Sequence, residues 1–270
     1  METATNTSAF VGNVPENYDQ YMGPMFFRPY AVDIAERVAR HSPSSILETA
    51  AGTGVSTEAL ERANPNADII ATDLNADMLE RAKSVRPNLS VTWSVADALE
   101  LPYEDNRFDV VVTQYGVMFF PDKPAAFREA FRVLKPGGAY IFNVWDSLEG
   151  NDVGRTTQEV VTKMIPVDTP TFLQTPFGWS DPTPFIEAGK AAGFETSMPV
   201  AVEKQCESVS ALAASKGLMT GSPMYGQIVG MGVDPGPLQE EIARLLAERY
   251  GSEPMVAKMR AWVYEFKKPG

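Results

Sequence analysis

The chain reads as an α/β protein built on a mostly parallel sheet with helices on both faces. Three observations predict this. Short apolar runs alternate with helix-patterned segments from residue 45 onward. Those runs are nearly continuously apolar, as strands buried on both faces must be. The composition, 44% hydrophobic and 21% charged over 270 residues, gives enough apolar material for one sizeable core.

The elements follow in order. Residues 1–30 are mixed and carry an aromatic cluster, Tyr18, Tyr21, Phe26, Phe27 and Tyr30. Residues 30–40 place Val32, Ile34, Ala35 and Val38 at helical spacing, after Pro29, which a helix start tolerates. The apolar runs fall at 45–50, 67–73, 89–97, 108–116 and 139–146, separated by helical text such as STEALERAN, ADMLERAKSV and KPAAFREAFRVL. Right-handed crossovers then gather the C-terminal ends of the strands on one edge, where ligands bind. Beyond Trp145 the pattern loosens, with helix-like and Pro-rich pieces over 147–181. Residues 184–194 read as a helix stopped by Gly193, and FETSMPVAVEKQ as a strand. Residues 208–250 read as mostly helical with a Gly/Pro/Met-rich break at 217–237. A final strand at 260–266 sets Trp262, Tyr264 and Phe266 on one face.

Bulk properties exclude several functions. The charge balance is 23 Lys and Arg against 35 Asp and Glu, a net −12, which repels phosphate backbones and anionic membranes. Neither nucleic acid nor a membrane is therefore expected as a partner. Cys206 and His41 are the only cysteine and histidine, so no intrachain disulfide and no Cys/His metal site is possible, and no metal is expected. The opening METATNTSAFVGNV lacks the basic start and apolar stretch of a secretion signal. A cytoplasmic location is the simplest expectation.

The chemistry-bearing signal is ILETAAGTG at 46–54, a strand running into a Gly-rich turn that opens a helix. Glycine lets the backbone approach a ligand, and the helix start offers free N–H groups. Alone, such a turn is equally an ordinary strand–helix connection. Asp73 ends the next strand about 20 residues on, where a carboxylate accepts from ribose hydroxyls. Asp97 ends the third run, in reach of an adenine amino group. Each Asp taken singly also reads as a strand-end turn residue. Two acids at successive strand ends, after a Gly-rich first turn, point to a nucleoside.

From Ser45 to Trp145 the chain resembles class I S-adenosylmethionine-dependent methyltransferases, especially the group of ubiquinone/menaquinone C-methyltransferases and bacterial small-molecule methyltransferases. ILETAAGTG is similar to their first motif, DLNADML to the second, VADALELPYEDNRFDVVV to the adenine region and fourth strand, and FREAFRVLKPGGAYIF to the fifth-strand segment. The chain departs from the usual motif in having Glu48 for its Asp, and Ala50 and Ala51 for its first Gly and Cys.

The resemblance implies a Rossmann-like seven-stranded sheet of order 3-2-1-4-5-7-6, with strand 7 antiparallel, and a small helical cap. It implies one methyltransferase domain over 1–270, a cofactor core at 45–146, and substrate-cap insertions at 147–185 and 208–250. The implied cofactor is S-adenosylmethionine, leaving as S-adenosylhomocysteine. Its residues would be Glu48 with Ala50, Gly52 and Gly54 at the turn, Asp73 on the ribose, and Leu74 and Met78 on the adenine or ribose. Asp97 and Ala98 would face the adenine edge, and Gln114 and Tyr115 would lie beside the methionine part and the methyl group. The segment Tyr18 to Tyr30 resembles the helix that closes over the cofactor in relatives, or else packs as an apolar staple on the sheet edge.

Methyl transfer is an in-line displacement, so the protein mainly aligns the nucleophile. His41 falls before the first strand, at the edge opposite the expected site, and is not expected to catalyse. Either the acceptor brings a readily ionised or already nucleophilic atom, or a side chain takes its proton, with Tyr115 and Tyr18 as the local candidates. Phe172, Phe177, Trp179, Leu218, Met219, Met224, Tyr225 and Met231 populate the cap and point to a small apolar or aromatic substrate, unless they are simply cap core. A homodimer is left open. Rival readings are a non-catalytic S-adenosylmethionine- or S-adenosylhomocysteine-binding protein, an aminopropyl transferase, and a nicotinamide-dependent oxidoreductase, although G-T-G-V-S-T lacks a third glycine.

Overall fold

A strand pattern buried on both faces needs helices above and below, and the computed structural model supplies them over the residues it describes, 14–270. The leading residues read above for a secretion signal lie, up to residue 13, outside the described residues. The described chain begins with α1 (Val14–Asn17), a π-helical stretch (Tyr18–Phe27) and α2 (Arg28–Ala39). The alternating core follows as β1 (Ser45–Glu48), α3 (Val55–Ala63), β2 (Asp68–Asp73), α4 (Ala76–Val85), β3 (Thr92–Val95), β4 (Phe108–Gln114), α5 (Lys123–Val133) and β5 (Leu134–Trp145). Then come α6 (Asp152–Met164), α7 (Gln174–Phe177), α8 (Thr183–Ala192), β6 (Val200–Ser208), α9 (Ala211–Thr220), α10 (Met224–Gly230), α11 (Pro235–Tyr250) and β7 (Met255–Lys267).

The seven strands form one sheet in the order β3-β2-β1-β4-β5-β7-β6. β1 to β5 pair in parallel, and β7 runs antiparallel between β5 and β6. This is the expected α/β, Rossmann-like arrangement. Side chains alternate across it as the two-residue strand period requires. Ile46, Val110, Val112 and Ile141 join Ile34, Val38 and Leu60 in an aliphatic core on one face. Leu47, Val111, Tyr140 and Phe142 face the other side, among Phe127, Phe185, Tyr264 and Phe266. There Phe142 and Tyr264 stack with centroids 4.5 Å apart and planes 4° from parallel. Such a pair adds about 1 kcal/mol beyond the area it buries.

Local signals set the helix starts. Asn75 accepts from the Asp77 and Met78 amides at the head of α4, Asp122 from Ala125 N at α5, and Ser210 from Ala213 N at α9. Gly193, at φ +103°, closes α8 as the sequence expects.

Several boundaries differ from expectation. β3 keeps only 92–95 of the expected 89–97, since it is an edge strand with one neighbour. The strand expected from 194 begins at Val200; before it, Glu195 makes only an isolated bridge to Lys267. β7 starts at Met255 rather than 260, because the long edge strand β6 pairs with it over nine positions. The break expected at 217–237 contains α10, whose Met224 and Ile228 are buried in the cap. The aromatic run at 18–27 is helical despite Pro24 and continues directly into α2. No helix among the described residues is long and apolar enough to cross a membrane.

Candidate active site

A cavity of about 330 Å³ opens at the C-terminal edge of the parallel strands, beneath the cap. The turn after β1 forms its floor. Ala50 and Gly52 line it at φ +54° and +58°, and Gly54, at +85°, caps α3. Ala50 thus holds a left-handed conformation that strains any residue with a Cβ, where the related motif carries glycine. Close packing keeps it there: a Cβ on Gly116 would come within 2.5 Å of the Ala50 methyl.

Glu48 lies below this floor, fully buried, and does not line the cavity. Its oxygens accept from the Ser56 and Thr57 hydroxyls, which ties β1 to the first turn of α3. Burial pushes its carboxyl up to about 7; the two hydroxyls pull it down, the Asp73 charge raises it and Arg86 lowers it. Its side chain supports the turn from below, as an indirect role toward a cofactor would have it. Gly54 lies in the turn without lining the cavity, and its missing side chain makes room for Trp93, 2.7 Å from where a Cβ would sit.

The remaining cofactor candidates all line the cavity: Asp73, Leu74, Met78, Asp97, Ala98, Gln114 and Tyr115 with the turn residues. Asp73 accepts from Gly52 N and Asn75 N, each at 2.8 Å, and a carboxylate bound so still has room for further donors. Burial raises its pKa, while these amides and that of Leu74 lower it. Asp97 accepts from Leu99 N at 2.9 Å, the turn role weighed against adenine recognition. The Gln114 amide donates to Phe27 O at 3.2 Å, and its Oε1 is buried without a partner. Tyr115 takes φ +56°, and Asn143 holds it there by accepting from Tyr115 N at 3.0 Å.

The lid is the stretch Tyr18–Phe27, of which Tyr18, Met22, Phe26 and Phe27 face the cavity. Sequence reasoning missed what fastens it. Asp19, next to Tyr18, pairs with Arg86 at 2.9 Å and Arg81 at 3.5 Å, and accepts from Thr53 at 3.2 Å. Arg86 also donates to Thr53 O at 2.7 Å and pairs with Glu58 at 3.2 Å. The Tyr-Asp pair in the sequence was the available signal; its basic partners lie more than sixty residues away.

The cap side is apolar. Phe119, Phe120, Phe172, Leu173, Phe177 and Leu218 form its walls. Trp179, Met219, Met224, Tyr225 and Met231, expected there, do not line the cavity. Met219 and Met224 are cap core, while Tyr225 and Met231 lie on the surface, 43% and 38% exposed. Trp179 instead covers Lys123, whose ammonium sits 3.8 Å from its ring centre and donates to the carbonyls of Met118 and Phe120. Burial pushes Lys123 down to about 8.

His41 is remote from the cavity and pairs with Glu265 at 3.0 Å. Tyr18 and Tyr115 both line the cavity, but burial, with nearby acidic groups, raises their hydroxyls well above the ordinary tyrosine range. Both stay protonated at neutral pH. Among the described residues, no three His, Cys, Asp or Glu side chains converge as a metal site would need.

Comparison with known proteins places this geometry. Residues 47–142 match the family described as "Methyltransferase domain". The matched stretch carries the motifs whose resemblance is described above. A demethylmenaquinone methyltransferase of Deinococcus radiodurans is 38% identical over 109 residues, 40% of this chain and 45% of that protein. A ubiquinone/menaquinone biosynthesis C-methyltransferase of Rickettsia akari is 35% identical over 140 residues, 48% of this chain and 56% of its own. An uncharacterized protein of Mycobacterium tuberculosis, Rv1405c, is 40% identical over 95 residues, 34% of each chain. The matches span between a third and just over half the length of these relatives. Among solved structures, YcgJ of Bacillus subtilis superposes with a TM-score of 0.57 at 17% identity, covering 90% of this chain and 99% of that one. A phosphoethanolamine N-methyltransferase of Haemonchus contortus, solved with S-adenosylhomocysteine, does so at 0.59 and 16%, covering 98% and 60%. At such identities these two likenesses concern the fold alone.

Proposed function

We propose that the chain is an S-adenosylmethionine-dependent methyltransferase acting on a small apolar or aromatic acceptor. One observation carries the reading. A single cavity joins a polar end, with Asp73, Asp97 and the turn at Gly52, to an end walled by phenyl rings from the cap. The first suits an adenosyl group; the second suits a flat, uncharged molecule. S-adenosylmethionine, when bound, supplies a methyl group open to in-line displacement from its sulfur. Asp73 accepts from the ribose hydroxyls while holding Gly52 in place. Leu74 and Met78 pack on the nucleoside, Asp97 and the backbone at Ala98 face its adenine, and Gln114 and Tyr115 border the methionine part. The lid excludes water, and the cap segments 147–185 and 208–250 select and orient the acceptor.

Among the described residues, no carboxylate, imidazole or amine side chain lines the acceptor side of the cavity. The acceptor atom therefore arrives ionised or already nucleophilic. The names of the quinone-pathway relatives are consistent with such an acceptor.

Titration calorimetry with S-adenosylmethionine, S-adenosylhomocysteine and NAD tests the reading. Binding of the first two and not the third supports it; binding of NAD alone returns the oxidoreductase. Adenosyl binding with no methyl transfer to any component of a metabolite extract would leave a non-catalytic binding protein.

A further inference from the structure

The rings that wall the cap side of the cavity stand on separate segments. Phe119 and Phe120 belong to the single helical turn after β4, Val117–Phe119, and the residue that closes it. Phe177 ends α7 in the cap. Lys123 reaches both segments without lining the cavity itself. Its ammonium donates to Met118 O at 3.2 Å and Phe120 O at 3.0 Å, the end of the turn that carries the first two rings. It also lies 3.8 Å from the ring centre of Trp179, two residues past Phe177. Trp179 is seated in turn on Phe185, the buried ring of α8, at 5.7 Å. Among the described residues Lys123 forms no ion pair.

This is a costly place for a cation. Lys123 opens α5, where the helix dipole opposes positive charge, and it is half-buried. Its ammonium still keeps its proton at neutral pH, since burial brings it down only to about 8. The contacts offset the cost. A short helical turn leaves its last carbonyls without donors of its own, and an ammonium supplies them. The negative face of an indole attracts the same charge, more strongly out of water. We propose that Lys123 is a positioning residue for the acceptor: its ammonium ties the Phe119–Phe120 wall to the cap at Trp179, and so fixes the spacing of the rings between which the acceptor lies. This rests on the reading that gives the cap side of the cavity to the acceptor. Lys123 acts through those walls, and the polar end at Asp73 and Asp97 lies beyond its reach, after β2 and β3.

Calorimetry on the full chain reads the two ends of the cavity separately. S-adenosylhomocysteine probes the cofactor end; 1-naphthol, titrated into protein saturated with S-adenosylhomocysteine, probes the acceptor end. Lys123→Met keeps the length of the side chain and removes its charge. It should weaken 1-naphthol about tenfold and S-adenosylhomocysteine less than about twofold. Lys123→Arg, whose cation can also stack on an indole and donate to carbonyls, should bring 1-naphthol back to within about threefold of the wild type. Trp179→Leu should act in the same sense as Lys123→Met, and it decides the matter if circular dichroism finds Lys123→Met unfolded. The double variant should lose less than the product of the two single losses, because both cut one tie. Equal losses for both ligands, 1-naphthol unchanged in the single variants, or an arginine no better than the methionine would overturn the proposal and leave the methyltransferase reading intact. A wild type that binds S-adenosylhomocysteine but not 1-naphthol would overturn it together with the acceptor assignment, and one that binds neither would overturn the cofactor reading as well.

Discussion

The buried Glu48 carboxylate makes stability depend on pH, and replacing it with glutamine should remove that dependence. Its pKa rises from an ordinary 4.5 to about 7 in the folded chain because burial disfavours the charge. Below the unfolded value the group is protonated in both states and contributes no difference. Between the two values the unfolded chain ionises while the native state keeps its proton, so stability falls as pH rises. Above about 7 the loss is complete. At about 1.4 kcal/mol for each pH unit, the displacement amounts to about 3 kcal/mol. Glu48→Gln keeps the shape and can still bond the Ser56 and Thr57 hydroxyls, without a charge. Urea unfolding of both proteins at about pH 5 and about pH 8 measures the effect, and comparison with the variant cancels other titrating groups. The variant should exceed the wild type by about 1 kcal/mol at the lower pH and by about 3 kcal/mol at the higher. Equal losses in the two proteins would refute the assignment of the pH dependence to this carboxylate.

Other substitutions probe the cavity. Asp73→Ala should weaken S-adenosylmethionine by about 1–3 kcal/mol in calorimetry if Asp73 has the proposed ribose role, since it also frees the Gly52 amide; an unchanged dissociation constant would remove that role. Arg86→Met leaves the nearly buried Asp19 with the longer Arg81 contact and the Thr53 hydroxyl. It should cost about 3 kcal/mol in urea unfolding and expose the lid to limited proteolysis, and a variant as resistant as the wild type would show that the pair does not fasten the lid. His41→Ala should retain methyl transfer, because His41 lies away from the cavity. A folded variant slowed by about a hundredfold or more would place a proton transfer there.

Some of this was written locally. Alternation of apolar runs and helical text is a short-range pattern, so the sheet's core strands and their helices were legible. The LKPGG segment and the acids after two strands carried the resemblance, and from it came the strand order and the cavity's polar end. Edge strands were misjudged, because the ends of β3 and β6 depend on how far a neighbour pairs with them.

The order of residues alone sets the class of fold, the sheet edge at which the cavity opens, and the acidic, histidine-poor character of the chain. Each follows from spacing along the chain, since strand ends and turn glycines lie within a few residues of one another. Only the tertiary structure decided that Glu48 supports the turn from below, that Asp19 fastens the lid to Arg86, and which cap aromatics face the cavity. Those facts depend on side chains brought together from distant segments, where the direction a side chain points, rather than its type, sets its role.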